Sequence, residues 1–143
     1  MFLAIVLIAS AAALNNGLGR TPAMGWNSWN LYGCNVNETI VKHMADAIVD
    51  TGLRELGYQY VTVDDCWQAG RGIDLKIRTD RSRFPSGMKA LGDYIHSRGL
   101  KFGIYSSAGV QTCMGRAGSL FYEQEDADTY AEWGVDLLKC NQG

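Results

Sequence analysis

The chain has 143 residues, of which 47% are hydrophobic and 20% are charged, with a formal net charge of −2 at pH 7. This composition is typical of one globular unit and excludes extensive disorder. The near-neutral charge, with no long run of like charges, provides no basic surface for nucleic acid or for an anionic membrane.

Residues 1–13 form an apolar segment that ends in three alanines. The segment is too short to span a bilayer, and its small residues suit cleavage by signal peptidase after Ala13. No Lys or Arg precedes the apolar stretch, and a buried N-terminal strand is the alternative interpretation. We predict a secretory signal over residues 1–13, a mature chain over 14–143, and no membrane span.

Apolar periodicity predicts alternating strands and helices after the signal, beginning with an extended aromatic segment over 22–30. β-Branched and aromatic runs predict strands over 60–63, 100–105 and 135–139. The alternation predicts an α/β fold with parallel βαβ units, although four strands are too few to close a barrel. Helical spacing and terminal glycines predict helices over 38–53, 87–98 and 123–133, and the segment 68–86 predicts a long loop.

Polar and aromatic side chains follow the predicted strands: Trp29 the first, Asp64 and Asp65 the second, Tyr105 the third and Lys139 the fourth. Strand ends carry the chemistry in such folds. Acids that accept hydroxyl protons, beside an aromatic ring that packs on a pyranose, suit a sugar. Each residue also has a structural interpretation, as a loop cap, a core side chain or a solvated or paired cation.

Four cysteines, Cys34, Cys66, Cys113 and Cys140, are widely spaced along the chain. In a secreted protein an even count at such spacing favours disulfides over a metal site. Spacing alone leaves all three pairings open. The Asn37-Glu38-Thr39 triplet is an N-glycosylation sequon, and Asn37 is equally suited to cap a helix.

Six ordered blocks of sequence carry a specific resemblance. They are NGLGRTP at 16–22, MGWNSW at 24–29, VDDCW at 63–67, RFPSG at 83–87, GLKFGIY at 99–105 and WGVDLLK at 133–139. Together they resemble the α-galactosidases (melibiases) of glycoside hydrolase family 27. The resemblance covers nearly all of the chain after the predicted signal.

The resemblance implies a (β/α)8 TIM barrel, of which about the first four β/α units are present in this chain. It implies retaining hydrolysis of terminal α-D-galactosides in oligosaccharides or glycoconjugates, without a metal or an organic cofactor. It also implies frequent homodimers and a secreted or lysosome- or vacuole-like location. Two alternatives stay open: an α-N-acetylgalactosaminidase of the same family, and a non-catalytic galactose-binding remnant.

The resemblance also implies roles for the strand-end residues. The tryptophan that matches Trp29 packs on galactose, and the acids that match Asp64 and Asp65 bind its hydroxyls. The residues that match Tyr105 and Lys139 line the same pocket. Family members link the cysteines that match Cys34 and Cys66, which ties the first barrel loop to the second.

The match breaks after Lys139. The family places its nucleophilic aspartate two residues after this lysine, whereas the chain continues Cys140-Asn141-Gln142-Gly143. Without a gap, Asn141 occupies the nucleophile position. With a three-residue gap, which we prefer because it restores a second disulfide, Cys140 pairs with Cys113. Either alignment removes the nucleophile, and the acid/base aspartate is expected beyond Gly143, so we predict no catalytic residue in this chain and no turnover by it alone.

Overall fold

The computed structural model describes residues 16–141 of the chain. The predicted signal over 1–13 therefore lies outside the described residues. The described part contains six strands and four α-helices, with one 3-10 turn, Gly33–Asn35. In chain order the elements are β1 (Gly25–Asn27), α1 (Trp29–Tyr32), α2 (Glu38–Asp50), β2 (Tyr60–Val63), β3 (Gln68–Arg71), β4 (Ile77–Thr79), α3 (Gly87–Ser97), β5 (Lys101–Ser107), α4 (Glu123–Glu132) and β6 (Leu137–Asn141).

Four of these strands form one parallel sheet in the order β1-β2-β5-β6. Parallel neighbours need crossover connections, and α2, α3 and α4 lie in the three crossovers. The predicted alternation of strands and helices is confirmed. Of the extended segment predicted over 22–30, only Gly25–Asn27 pairs as a strand, because Trp29 already begins α1.

The outer face of this sheet carries the hydrophobic core. Successive side chains of a strand point to opposite faces. Val61 and Val63 of β2, with Phe102 and Ile104 of β5, are fully buried among apolar side chains of α2 and α3. Burying such side chains is the main source of stability in a small domain.

The inner face of the sheet carries small or polar residues, with two tyrosines and a leucine among them: Gly25, Asn27, Tyr60, Thr62, Gly103, Tyr105, Leu137 and Lys139. A Cβ at Gly103 would lie 2.3 Å from Thr62 Oγ1, so the strands accept only glycine there without rearrangement. Six of these residues, Leu137 and Tyr60 among them, line a cavity of about 220 Å³. The inner face therefore combines polar and apolar groups and has space beside it.

Helix α2 begins at an asparagine cap. The side-chain oxygen of Asn37 accepts a hydrogen bond from the Ile40 amide at 3.0 Å, which satisfies one of the free amides of the first turn. The capping role of Asn37 is confirmed, and its glycosylation stays a prediction. Among the described residues, no helix combines the length and apolarity needed to cross a bilayer.

The segment predicted as a long loop over 68–86 contains an antiparallel hairpin instead. Strands β3 and β4 pair with one irregularity between Gln68 and Gly70. Ile77 is 1% exposed and Gln68 is fully buried, so the hairpin packs on the domain rather than projecting from it. The Gly-rich, charged composition of this segment does not predict strands. The two strands are short, and only one large apolar side chain, that of Ile77, anchors them.

Candidate active site

Asp64 lies at the carboxyl end of β2, where three strands bring polar groups together. Its Oδ2 accepts hydrogen bonds from Asn27 Nδ2 of β1 and from Lys139 Nζ of β6, both at 2.7 Å. Its Oδ1 accepts from the Asp65 amide at 2.9 Å. Asp64 is 3% exposed, whereas the Lys139 side chain is 39% exposed. The structure thus joins two residues that are 75 positions apart in the chain.

Asp65 is bound by a different part of the chain, the loop after β5. Its Oδ1 accepts from the Thr112 hydroxyl at 2.8 Å and from the Cys66 amide at 2.7 Å. Its Oδ2 accepts from the Met114 amide at 3.0 Å. Although the two acids are adjacent in sequence, one is held by neighbouring strands and the other by a loop.

Trp29 is the first residue of α1 and is half-buried beside this cluster. Its amide donates to Asn27 Oδ1 at 2.9 Å, and the preceding hydroxyl, Ser28 Oγ, accepts from the Asp64 amide at 2.9 Å. The chain that carries Trp29 is therefore anchored to the residues around Asp64.

The expected disulfide between Cys34 and Cys66 is present, with the two Cα atoms 5.2 Å apart. It ties the loop after β1 to the loop after β2. Cys66 has a φ of 77°, a left-handed conformation that is unusual for a residue other than glycine. The hydrogen bond from the Cys66 amide to Asp65 Oδ1 and the disulfide hold Cys66 in this conformation, directly after the two acids.

Tyr105 lies in the wall of the site and is 1% exposed. Its hydroxyl donates to Cys113 Sγ at 3.4 Å, and Lys139 Nζ lies 5.2 Å from its ring centroid. The ring thus supports the ammonium group from one side through a cation–π contact. Burial raises the pKa of Tyr105 to about 12, and the hydrogen bond to Cys113 acts in the same direction.

We expect the phenol of Tyr105 to stay neutral well beyond the usual range. Since its folded pKa, about 12, exceeds the unfolded value of about 10, the stability that it contributes is complete below about pH 10 and is lost as the pH rises towards about 12. The ultraviolet titration curve of Tyr105→Phe, subtracted from that of wild type, should show one tyrosine that ionises near pH 12. A difference curve centred near pH 10 would contradict this environment.

The structure corrects the expected second disulfide. Tyr105 pairs with Lys139 across the β5–β6 ladder, and Ser107 pairs with Asn141. The strand runs on through Asn141, so Lys139 and Asn141 share the inner face and Cys140 faces the opposite way. Among the described residues, Cys113 and Cys140 are free, exposed thiols. The pairing fails because strand alternation turns the two sulfurs to different faces.

The gapped alignment preferred from the sequence was based on a second disulfide, and the described residues do not form that disulfide. Asn141 lies two residues after Lys139 on the same face, and its side-chain amide is 3.8 Å from Cys113 Sγ. A neutral amide therefore lies on the inner face of the sheet, beyond Lys139.

The cluster presents both hydrogen-bond donors and hydrogen-bond acceptors at one edge of the sheet. Each carboxylate of Asp64 and Asp65 has one oxygen that already accepts two hydrogen bonds and one that accepts a single bond, counted over the described residues. A carboxylate oxygen has two lone pairs, so each acid retains one acceptor position that no described residue fills. Residues 16–141 contain no group of three His, Cys, Asp or Glu side chains arranged to hold a metal ion.

Comparison with known proteins identifies the family. A family model described as alpha galactosidase A (Melibiase_2) matches residues 21–143. The chain belongs to this family. The resemblance read from the sequence blocks is therefore confirmed.

Relatives in the α-galactosidase family match the chain over nearly its whole length. It is 51% identical over 137 residues to a probable alpha-galactosidase of Dictyostelium discoideum, a match that covers 96% of this chain and 36% of that protein. The crystal structure of alpha-galactosidase I from Mortierella vinacea superposes with a TM-score of 0.88 at 53% identity, covering 90% of this chain and 33% of that one.

An α-galactosidase from Saccharomyces cerevisiae, solved with raffinose, superposes with a TM-score of 0.87 at 46% identity and covers 89% of this chain and 28% of that one. The chain thus spans about a third of the length of these relatives. The predicted fold class, the first part of a (β/α)8 TIM barrel, is confirmed by these superpositions.

Three residues of this polar cluster are not among the site residues predicted from the sequence. Asn27 and Ser28 precede Trp29 in the block MGWNSW, so their polar side chains at the end of the first strand were a usable signal. Thr112 lies in a loop without periodicity, and its contact with Asp65 spans 47 positions. No local pattern indicates such a contact.

Proposed function

We propose that the protein is an α-galactosidase-type retaining glycoside hydrolase that acts on terminal α-D-galactosides, and that this chain carries the wall of its active site that binds galactose. The observation that carries the proposal is the convergence of Trp29, Asp64, Asp65 and Lys139 at one edge of the sheet. Membership of the family and the raffinose bound to the yeast relative support it.

The proposal gives each group of the cluster a role in sugar binding. The indole of Trp29 offers an apolar face for the C–H surface of a pyranose. The remaining lone pairs are on Asp64 Oδ1 and Asp65 Oδ2, and each accepts one sugar hydroxyl. Lys139 donates to a sugar oxygen while it stays paired with Asp64 at 2.7 Å. Tyr105 lines the wall behind the ammonium group.

The proposed chemistry needs groups that this cluster does not supply. A retaining glycosidase uses two carboxyl groups about 5 to 5.5 Å apart, one as nucleophile and one as acid and base. Asn141 stands at the nucleophile position, and an amide cannot form the ester intermediate of the retaining mechanism. We therefore assign sugar binding to the cluster of Trp29, Asp64, Asp65 and Lys139.

The cellular setting completes the proposal. Export through the secretory pathway follows from the predicted signal over 1–13, and it agrees with the Cys34–Cys66 disulfide. Glycosylation at Asn37 and homodimer formation by the full-length protein belong to the same proposal. The substrate of an α-N-acetylgalactosaminidase differs from an α-galactoside at the second carbon of the sugar. None of the contacts described above distinguishes the two substrates.

Calorimetric titration with galactose tests the binding role, with glucose as the matched control because it differs only at the fourth carbon. We expect galactose to bind with a millimolar dissociation constant and glucose to bind more weakly by about tenfold, the effect of one misplaced hydrogen bond to a charged group. We also expect no hydrolysis of an aryl α-galactoside. Equal binding of the two sugars would refute the assignment of the pocket, and turnover would refute the role given to Asn141.

A further inference from the structure

Thr112 lies in a tight turn of the loop between β5 and α4. The Thr112 amide donates to the Arg116 carbonyl at 2.8 Å, and the Gly115 amide donates to the Thr112 carbonyl at 2.9 Å. The flanking residues Gln111 and Ala117 form a β-bridge. Backbone hydrogen bonds thus hold residues 111–117 as one closed unit.

The hydroxyl of Thr112 has a fixed direction within this turn. Its oxygen accepts a hydrogen bond from the Arg116 amide at 3.0 Å and donates its own proton to Asp65 Oδ1 at 2.8 Å. Thr112 is 5% exposed, so water competes little for either bond. A hydroxyl that accepts from an amide has its proton free for an acceptor on the other side, and here that acceptor is the carboxylate.

The turn supplies two of the three hydrogen bonds that fix the Asp65 carboxylate. Thr112 donates to Oδ1 and the Met114 amide donates to Oδ2 at 3.0 Å. With both oxygens bonded, the carboxylate plane cannot rotate without breaking one of these bonds. The lone pair that remains on Oδ2 therefore points in one direction, set by the turn.

The far end of the loop is fixed to the rest of the domain. Arg71 of the hairpin forms two hydrogen bonds to Asp126, both at 2.6 Å, and donates to the Gly118 carbonyl at 2.7 Å. The hydrogen bonds to the Asp126 carboxylate raise the pKa of Arg71, so the guanidinium stays charged. Ser119 adds a buried hydroxyl contact to Ser106 at 2.6 Å. The contacts of Arg71 and Ser119 thus fix the end of the loop without touching Asp65.

We infer that Thr112 is a positioning residue for sugar binding: it orients the Asp65 carboxylate so that Oδ2 meets one hydroxyl of the galactose ring. The inference rests on the proposed function. It adds a residue that contacts no sugar and controls how tightly one is held.

The test compares Thr112→Val, which keeps the shape and removes the hydroxyl, with Thr112→Ser, which keeps the hydroxyl. Ser119→Ala is the matched control for loosening of the loop, because Ser119 does not touch either acid. Calorimetry with galactose is the first readout. We expect Thr112→Val to weaken binding by about tenfold or more, and Thr112→Ser and Ser119→Ala to stay within about twofold of wild type.

Hydrogen exchange of the Met114 amide is the second readout and needs no sugar. Freed of Thr112, the Asp65 carboxylate rotates and releases Met114, so we expect faster exchange in Thr112→Val and not in Ser119→Ala. Unchanged affinity in Thr112→Val, or an equal loss in Ser119→Ala, overturns the inference while the proposed function stands. If wild type itself does not bind galactose, the proposed function fails, and unchanged Met114 exchange then overturns the orienting role as well.

Discussion

Replacing Asp64 with alanine should abolish measurable galactose binding and lower the free energy of unfolding by about 2 to 3 kcal/mol. Asp64 is 3% exposed and accepts hydrogen bonds from Asn27, Lys139 and the Asp65 amide. Without it, three donors lose their acceptor. The estimate is kept below that for a fully buried pair because Lys139 is 39% exposed and water screens its charge.

Asp93→Ala is the control for the loss of a carboxylate. Asp93 pairs with Lys89 on the exposed face of α3, with side chains 60% and 62% exposed, and such a pair contributes about 0.5 kcal/mol or less. Galactose affinity should be unchanged in this variant. Calorimetry and urea unfolding measure both quantities. An Asp64→Ala protein that binds galactose as tightly as wild type would show that the acid is a structural cap and not part of the site.

Removing the Cys34–Cys66 disulfide should have the largest effect on stability. The bond closes a loop with a sequence separation of 32 residues. In the chain-entropy model, such a closure removes about 3 to 4 kcal/mol of freedom from the unfolded chain. We expect a Cys34→Ser, Cys66→Ser double variant to lose about this amount in urea unfolding. Galactose affinity should fall too, since the bond ties the loop near Trp29 to the two acids.

The chain offers a matched control in its other two cysteines. Cys113→Ser with Cys140→Ser changes the same number of sulfurs and breaks no covalent bond, so the free energy of unfolding should change by less than about 1 kcal/mol. Thiol titration of the denatured wild type should find two reactive groups. A large cost in this control, with no titratable thiol, would mean that Cys113 and Cys140 are bridged in solution.

Features that depend on short-range pattern were predictable from the sequence. The apolar spacing of Val41, Ala45 and Ile48 predicts the buried side of α2, and Asn37 predicts its cap. The acids Asp64 and Asp65 follow a β-branched run, which predicts their place at a strand end. Parallel strands place their carboxyl ends at one edge, so the meeting of Asp64 with Lys139 followed from the fold class.

Features that depend on register and on long-range contacts were not predictable. A shift of one residue in β6 would decide whether Cys140 or Asn141 faces the site. The hydrogen-bonded pairing of β6 with β5 fixes which of the two does so. The β3–β4 hairpin depends on the burial of Ile77, which composition does not reveal. Thr112 reaches Asp65 only because the turn after β5 folds back over the end of β2.

The most direct test of the central claim is a galactose titration of the isotope-labelled chain followed by NMR. The account predicts saturable shifts in the Trp29 indole and in the amides of Asp65, Cys66 and Met114, with glucose producing little change at the same concentration. Shifts confined to other residues, or no shift at millimolar galactose, would contradict the claim that this edge of the sheet binds the sugar.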